Sequence, residues 1–251
     1  MAHRRKIQLL TWDVKDTLLR LLRPVGEEYA SRAQAHGLEV EATALDRAFR
    51  QVFKAHSQSF PGYGLSYGLT SCQWWQDVVL QTFHLAGVQD AQAVVPIAVQ
   101  LYKDLSSPCF WQLLEGAEAT VRECRKRGLR LAVVSNFDQR LDNILAGLHL
   151  REHFDFVLTS GATGWQKPDP RIFHEALRLA QVEPAVAAHI GDSYHNDYQG
   201  ARAIGMHSFL VVGPGPLDPV VKDSVPQEHI LPSLPHLLPA LDRLEGSSTG
   251  Q

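Results

Sequence analysis

The feature that most constrains the fold is a regular alternation of helical and strand patterns after Pro108. Four segments with helical periodicity are each followed by a short apolar segment typical of a buried strand. The helix–strand pairs are 117–128 with 129–135, 139–148 with 154–160, 170–180 with 187–192, and 198–205 with 207–213. Strands that alternate with helices are joined by right-handed parallel crossovers. The pattern therefore predicts an α/β fold: a doubly wound, Rossmann-like parallel sheet with helices on both faces.

A second pattern interrupts this arrangement near the start of the chain. An apolar segment at 6–12 reads as a first buried strand, whereas residues 25–106 have helical periodicity throughout. The fourth helix in this block contains Pro96, which we expect to kink or restart it. We therefore predict a core domain of residues 1–20 and 107–251, with an all-helical cap domain of residues 21–106 inserted after the first strand.

Reactive polar residues follow four of the predicted strands. Ligands of open α/β sheets bind outside the carboxyl ends of the strands, so these side chains should meet at one edge. They are Asp13 after the first strand, Ser135 and Asn136 after the second, Lys167 after the third, and Asp192 and Asp197 after the fourth.

The chemistry of this set is consistent with phosphoryl transfer. Three carboxylates can hold Mg²⁺, which prefers oxygen ligands. A nucleophilic carboxylate can form an acyl phosphate when a metal and a lysine neutralise the phosphoryl oxygens. A hydroxyl and a backbone amide at Ser135 and Asn136 can bind the remaining oxygens.

In this order, the residues resemble the motifs of the haloacid dehalogenase-like hydrolases: Asp-x-Asp-x-Thr, Ser/Thr, Lys, and Gly-Asp followed by a second Asp. The resemblance covers nearly the whole chain, and the helical insert resembles the first cap class of that superfamily. It implies that Asp13 is the nucleophile and that Ser135 and Asn136 bind phosphate. Lys167 would steady both the nucleophile and the phosphoryl group.

The resemblance also implies a magnesium site. Asp13 would be the first ligand and Lys15 would supply its backbone carbonyl. Asp192 would bind the metal directly, and Asp197 would bind it directly or through water. The implied substrate is a small phosphorylated molecule.

Lys15 departs from the family pattern, because phosphatases of the family carry a general acid/base aspartate at this position. A lysine, with an ordinary pKa of about 10.4, cannot readily both protonate the leaving oxygen and deprotonate the attacking water. If its ammonium points inward, it competes with Mg²⁺; if it points outward, only proton transfer is lost. Asp16 stands where the family usually has glycine, can tolerate a left-handed backbone, and is a candidate to replace the missing acid.

Three functions are compatible with these residues. The leading one is a Mg²⁺-dependent phosphatase of small phosphate monoesters, working through an aspartyl phosphate and slow or restricted because of Lys15. The second is a catalytically silent protein that binds a phosphorylated ligand or partner. The third is a 2-haloacid dehalogenase, favoured by the missing acid and disfavoured by the intact Gly-Asp metal motif.

Charge and composition limit the partners. The net charge is −3 and the pI is near 6.4, which gives no reason to expect nucleic-acid binding. No apolar stretch approaches the roughly 18 residues of a membrane span. Three widely spaced cysteines favour a reducing compartment. We expect a cytoplasmic monomer or weak dimer, or a mitochondrial protein without a cleaved presequence, since the first strand begins at about Lys6.

Some features have two readings. Trp74 and Trp75 are adjacent on a helix, so that one can be core while the other faces the cleft. The Gly/Tyr-rich loop at 61–69 is either a substrate-contacting loop or a plain connector. His189, within the predicted fourth strand, is interpreted as ordinary polar packing, because no spacing suggests a metal pair.

Overall fold

The computed structural model describes residues 6–246, so the basic residues at 3–5 that prompted the presequence question lie outside the described residues. The strands are β1 (Leu9–Trp12), β2 (Leu19–Leu21), β3 (Trp111–Leu113), β4 (Arg130–Ser135), β5 (Phe156–Thr159), β6 (Ala187–Gly191), β7 (His207–Val211) and β8 (Ile230–Leu231). The α-helices are α1 (Val25–Ala35), α2 (Ala42–Ser59), α3 (Ser71–Leu85), α4 (Ala91–Asp104), α5 (Ala117–Lys126), α6 (Arg140–Gly147), α7 (Ser160–Thr163), α8 (Pro170–Ala180), α9 (Gly200–Ala203), α10 (Pro219–Ser224) and α11 (Leu237–Gly246).

The main sheet has six parallel strands in the order β5-β4-β1-β6-β7-β8. Strand β1 lies between β4 and β6, and Thr11 is paired in register with Ala132 on one side and His189 on the other. The chain thus winds outward in both directions from β1. This arrangement confirms the predicted α/β, Rossmann-like fold.

Both faces of the sheet are buried. Side chains alternate along a strand, so Leu131 and Val133 of β4 pack into one hydrophobic cluster, whereas Ala132 and Val134 pack into another. Continuous apolar strands of this kind are expected where helices cover a parallel sheet on both sides. Asp13 follows β1 and Ser135 ends β4, so these two polar side chains lie at the carboxyl ends of their strands.

Helices α1–α4 lie between β2 and β3 in the chain and share a hydrophobic cluster of their own. Tyr29 and Phe83 stack at its centre with ring centroids 6.1 Å apart. Helix α4 is continuous across Pro96, so of the two expected outcomes, a kink or a restart, the restart does not occur. Proline removes a single backbone donor, and burial of the flanking Val94 and Ile97 against the cluster offsets that loss.

The two connections to the helical segment form a short antiparallel ladder that the sequence did not indicate. Leu19 pairs with Leu113, and Leu21 pairs with Trp111. Strands of three residues are too short to show a periodicity of their own. Across residues 6–246, no helix combines the length and the apolarity needed to cross a bilayer.

Candidate active site

The predicted site residues converge at the carboxyl edge of the sheet. Lys167 is buried, and its Nζ lies 2.7 Å from Asp13 Oδ1 and 2.5 Å from Asp197 Oδ1. Ser135, the last residue of β4, donates its hydroxyl to Asp13 Oδ1 at 3.0 Å. Asp192 follows directly after β6 and faces the same space. Residues far apart in the chain thus form a single cluster around Asp13.

The donor set fits a hard divalent cation. One carboxylate oxygen from each of Asp13, Asp192 and Asp197 lies within 4.8 Å of the others. Withdrawal of the Asp192 carboxyl from water, followed by the negative charges of Asp13 and Asp197, raises its pKa to about 7. The positive groups of the protein therefore neutralise only part of the negative charge of these three carboxylates. All-oxygen ligation of this kind is the preference of Mg²⁺.

Lys167 is held in its charged form and in a fixed position. Burial by itself disfavours the charge, but the carboxylates of Asp13 and Asp197 outweigh it, so the pKa of Lys167 is raised. The side chain of Asn136 accepts the Lys167 backbone N–H at 2.7 Å and donates to the Lys167 carbonyl at 2.9 Å. Because the Asn136 side chain is used in this way, its predicted phosphate-binding role would fall to its backbone amide.

The two carboxylate oxygens of Asp13 have different hydrogen-bond partners. Oδ1 accepts from both Lys167 and Ser135, whereas Oδ2 has only the hydroxyl of Thr17, 3.4 Å away. Burial raises the pKa of Asp13, and Lys167 opposes that rise. The Thr17 hydroxyl also lies 3.1 Å from Asp192 Oδ1. Thr17 was visible as the threonine of the first motif, but sequence reasoning assigned it no role.

His189 is the other site residue that sequence reasoning missed. It is fully buried on β6, with Nε2 lying 3.0 Å from Asp197 Oδ1 and Nδ1 lying 2.8 Å from Thr11 Oγ1. A Thr11 hydroxyl that donates to Nδ1 leaves the proton on Nε2, which then donates to Asp197. His189 therefore holds Asp197, a predicted metal ligand, by a hydrogen bond. The available signal was a polar pair, Thr11 and His189, inside two otherwise apolar strands.

Lys15 points away from the carboxylate cluster. Its Nζ lies 2.5 Å from Asp16 Oδ2, and both side chains are about half exposed, at 51% and 50%. Asp16 has φ of 64°, so its expected left-handed backbone is confirmed. Of the two orientations left open by the sequence, the structure has the outward one, which leaves the cluster free to accept a cation. The role of Asp16 as a replacement acid stays a hypothesis.

A cavity of about 580 Å³ extends from the cluster to the helical segment. Trp74 and Trp75 both line it; Trp74 is almost fully buried, whereas Trp75 is half-buried and donates its Nε1 proton to Asp138 Oδ2 at 2.7 Å. In the loop at 61–69, Tyr63 donates its hydroxyl to the carbonyl of Asn136 at 3.1 Å. The loop therefore bridges the helices and the sheet edge.

We expect the ionisation of Asp192 to make the metal-free protein less stable as pH rises toward 7. Its folded pKa of about 7 lies above its ordinary value of 3.8, so folding favours the protonated form. That stabilisation is fully present below about pH 4 and is lost as pH rises through the folded pKa. Asp192→Asn should therefore raise the melting temperature more at pH 8 than at pH 4. Because Asp192 is exposed at the cleft mouth, the rise should be small.

Thermal unfolding in a chelator at both pH values measures this effect. Asp223→Asn, at an exposed position away from the cleft, is the matched control and should show no such pH difference. Identical pH profiles for wild type and Asp192→Asn would contradict the charge balance described above.

Comparisons with known proteins identify the family and agree with the fold. Residues 7–205 match the family model of the haloacid dehalogenase-like hydrolases. The chain is 78% identical to haloacid dehalogenase-like hydrolase domain-containing protein 3 of Bos taurus, with 99% of each chain covered. A 2-haloacid dehalogenase from Pseudomonas syringae is similar in structure (TM-score 0.66, 22% identity, 94% of this chain and 99% of that one). So is a HAD phosphatase from Thermococcus onnurineus (TM-score 0.62, 19% identity, 94% and 98%).

Proposed function

The chain belongs to the haloacid dehalogenase-like hydrolases, and from that premise we propose that it is a Mg²⁺-dependent phosphatase of small phosphate monoesters. The observation that carries the proposal is the cluster in which Asp13 contacts Lys167 beside two further carboxylates. A buried lysine and a metal-type carboxylate set serve a substrate with several negatively charged oxygens. A carbon–halogen bond offers no such oxygens.

In the first step, Asp13 attacks phosphorus. Oδ1 is held by Lys167 and Ser135, so Oδ2 is the freer oxygen for attack. A new bond forms between this oxygen and phosphorus, the ester bond breaks, and the leaving alkoxide takes a proton from water. Bound Mg²⁺ supplies charge neutralisation for the phosphoryl oxygens. The Lys167 ammonium would stabilise the same charge, and Asn136 keeps that lysine in place.

In the second step, water attacks the aspartyl phosphate, Asp13 leaves as a carboxylate, and inorganic phosphate is released. This step needs a base to deprotonate the water, and Lys15 occupies the position where the family carries that base. The Lys15 ammonium is engaged by Asp16 at the surface, so neither side chain is free in its present pairing. Hydrolysis of the phospho-enzyme should therefore limit turnover.

The lysine at position 15, in place of an acid/base aspartate, also favours a second candidate function: a catalytically silent protein that binds a phosphorylated ligand or partner. Both functions use the same phosphate-binding groups and differ only in turnover. The dehalogenase alternative has weaker support. A 2-haloacid brings a carboxylate, whereas the carboxylates of Asp13, Asp192 and Asp197 repel one unless a cation is bound.

A screen of phosphate monoesters with Mg²⁺ and with a chelator tests the proposal. We expect slow hydrolysis in Mg²⁺ that the chelator abolishes, because the carboxylate cluster repels the phosphate dianion when no cation is bound. Inclusion of 2-chloropropionate with chloride detection tests the dehalogenase alternative. Absence of turnover for every ester, together with saturable Mg²⁺-dependent phosphate binding, would replace the phosphatase proposal with the silent binder.

A further inference from the structure

The helical side of the cavity is a continuous aromatic surface. Phe49 and Phe53 of α2 lie with ring centroids 5.5 Å apart, and Phe53 stacks on Trp75 of α3 at 5.7 Å with an interplanar angle of 28°. All three are half-buried and line the cavity, so each keeps part of its surface accessible beside the neighbouring rings. Accessible aromatic surface in a cavity favours a flat apolar partner.

The cavity offers no spare positive charge for a second anionic group. Among the lining residues that the structure describes, every Lys and Arg already has a carboxylate partner. The pairs are Lys15 with Asp16 at 2.5 Å, Arg50 with Asp46 at 2.5 Å, Arg140 with Asp138 at 2.8 Å, and Lys167 with Asp13 at 2.7 Å. A substrate carboxylate or second phosphate would have to compete with one of these carboxylates. The Lys15 and Arg50 pairs are exposed and weak, whereas opening a buried pair is costly.

The buried pair of Arg140 with Asp138 is not readily opened. The Arg140 guanidinium contacts both carboxylate oxygens of the buried Asp138 and lies over the ring of Tyr102, 4.3 Å from its centroid. Asp138 in turn accepts from Trp75. Withdrawing Arg140 toward a ligand would uncover a carboxylate with no exposure to water.

From these two observations we propose that the substrate is a phosphate monoester whose organic part is flat, aromatic and uncharged, and that Phe53 and Trp75 select it through contact with the accessible surface of their rings. The inference rests on the proposed function only for the position of the phosphate, which lies against Asp13 and Lys167. The cavity volume of about 580 Å³ accommodates such a group. Phosphate esters that carry a carboxylate or a second phosphate would find no unpaired cation among the described lining residues, and we expect them to be disfavoured.

Matched esters separate ring recognition from leaving-group chemistry. We compare kcat/KM for 2-phenylethyl phosphate, n-butyl phosphate and phosphoglycolate, since the first two both release a primary alcohol and differ mainly in the ring. We expect the phenylethyl ester to be preferred over the butyl ester by about tenfold or more. Phosphoglycolate should be the poorest of the three.

Phe53→Leu removes the ring but keeps an apolar side chain, and should reduce the phenylethyl-to-butyl ratio about two- to tenfold, as expected for one lost aromatic contact. Phe156→Leu is the matched control: Phe156 is also half-buried, but it packs on the far face of the sheet and does not line the cavity. The phenylethyl-to-butyl ratio of Phe156→Leu should equal that of wild type. Thermal unfolding of both variants verifies that each is folded.

Calorimetric binding of 2-phenylethylphosphonate and butylphosphonate, which cannot be hydrolysed, tests recognition without turnover. Aromatic preference in binding with no hydrolysis of any ester would overturn the phosphatase proposal and support this inference. Equal binding and equal hydrolysis of the two matched ligands would overturn the inference and leave the phosphatase proposal standing. A preference for phosphoglycolate, or a Phe53→Leu ratio equal to that of wild type, would also overturn it.

Discussion

Asp13→Asn is expected to lower turnover of any phosphate ester by at least about 10⁴-fold while the protein remains folded. Asparagine is close in shape to aspartate and its amide oxygen can still accept from Lys167 and Ser135, but it cannot form the acyl phosphate. Burial already raises the pKa of Asp13, so a neutral side chain is well tolerated at this position. Steady-state hydrolysis of an aryl phosphate and thermal unfolding measure the two properties.

Asp142→Asn is the matched control for this variant, because Asp142 is an exposed surface carboxylate paired with Arg151. It should keep wild-type turnover. Any hydrolysis by Asp13→Asn above about a ten-thousandth of the wild-type rate, with contaminating phosphatase excluded, would mean that another group attacks phosphorus.

Lys15→Asp is expected to raise turnover by about 10² to 10⁴, which corresponds to roughly 3 to 5 kcal/mol of barrier. The substitution supplies the acid/base group that the second step lacks and releases Asp16 from its ion pair. Because the Lys15 ammonium faces solvent, its removal should affect Mg²⁺ affinity much less than turnover. An inward lysine would have predicted comparable gains in both.

Lys15→Asn provides the matched comparison, since it removes the positive charge without adding a proton-transfer group. We expect it to remain as slow as wild type and to accumulate the same long-lived phospho-enzyme, detected by acid quenching after a single turnover. Lys15→Asp should not accumulate it. If Lys15→Asn is as fast as Lys15→Asp, electrostatics and not proton transfer limits the site. If neither variant is faster, the silent-binder function gains support.

Much of the site could be predicted from the chain because parallel strands align their ends. Once the alternation of helices and strands implied a doubly wound sheet, Asp13, Ser135, Lys167 and Asp192 had to meet at its carboxyl edge. The structure places them there, as expected from their positions after apolar segments and from the motifs that they resemble. Periodicity and strand direction are local properties of the chain, and they were sufficient for the fold class and for the composition of the cluster.

The direction of Lys15, the contact of His189 with Asp197, and the aromatic surface beside the cluster were decided only by the tertiary structure. The Lys15 ammonium pairs with the exposed carboxylate of Asp16, whose backbone is left-handed. His189 reaches Asp197 because a π-helical turn at Tyr194–Gln199 folds that aspartate back beneath the strand end. Contacts of this kind depend on the packing of separate elements in three dimensions, which residue spacing along a chain does not encode.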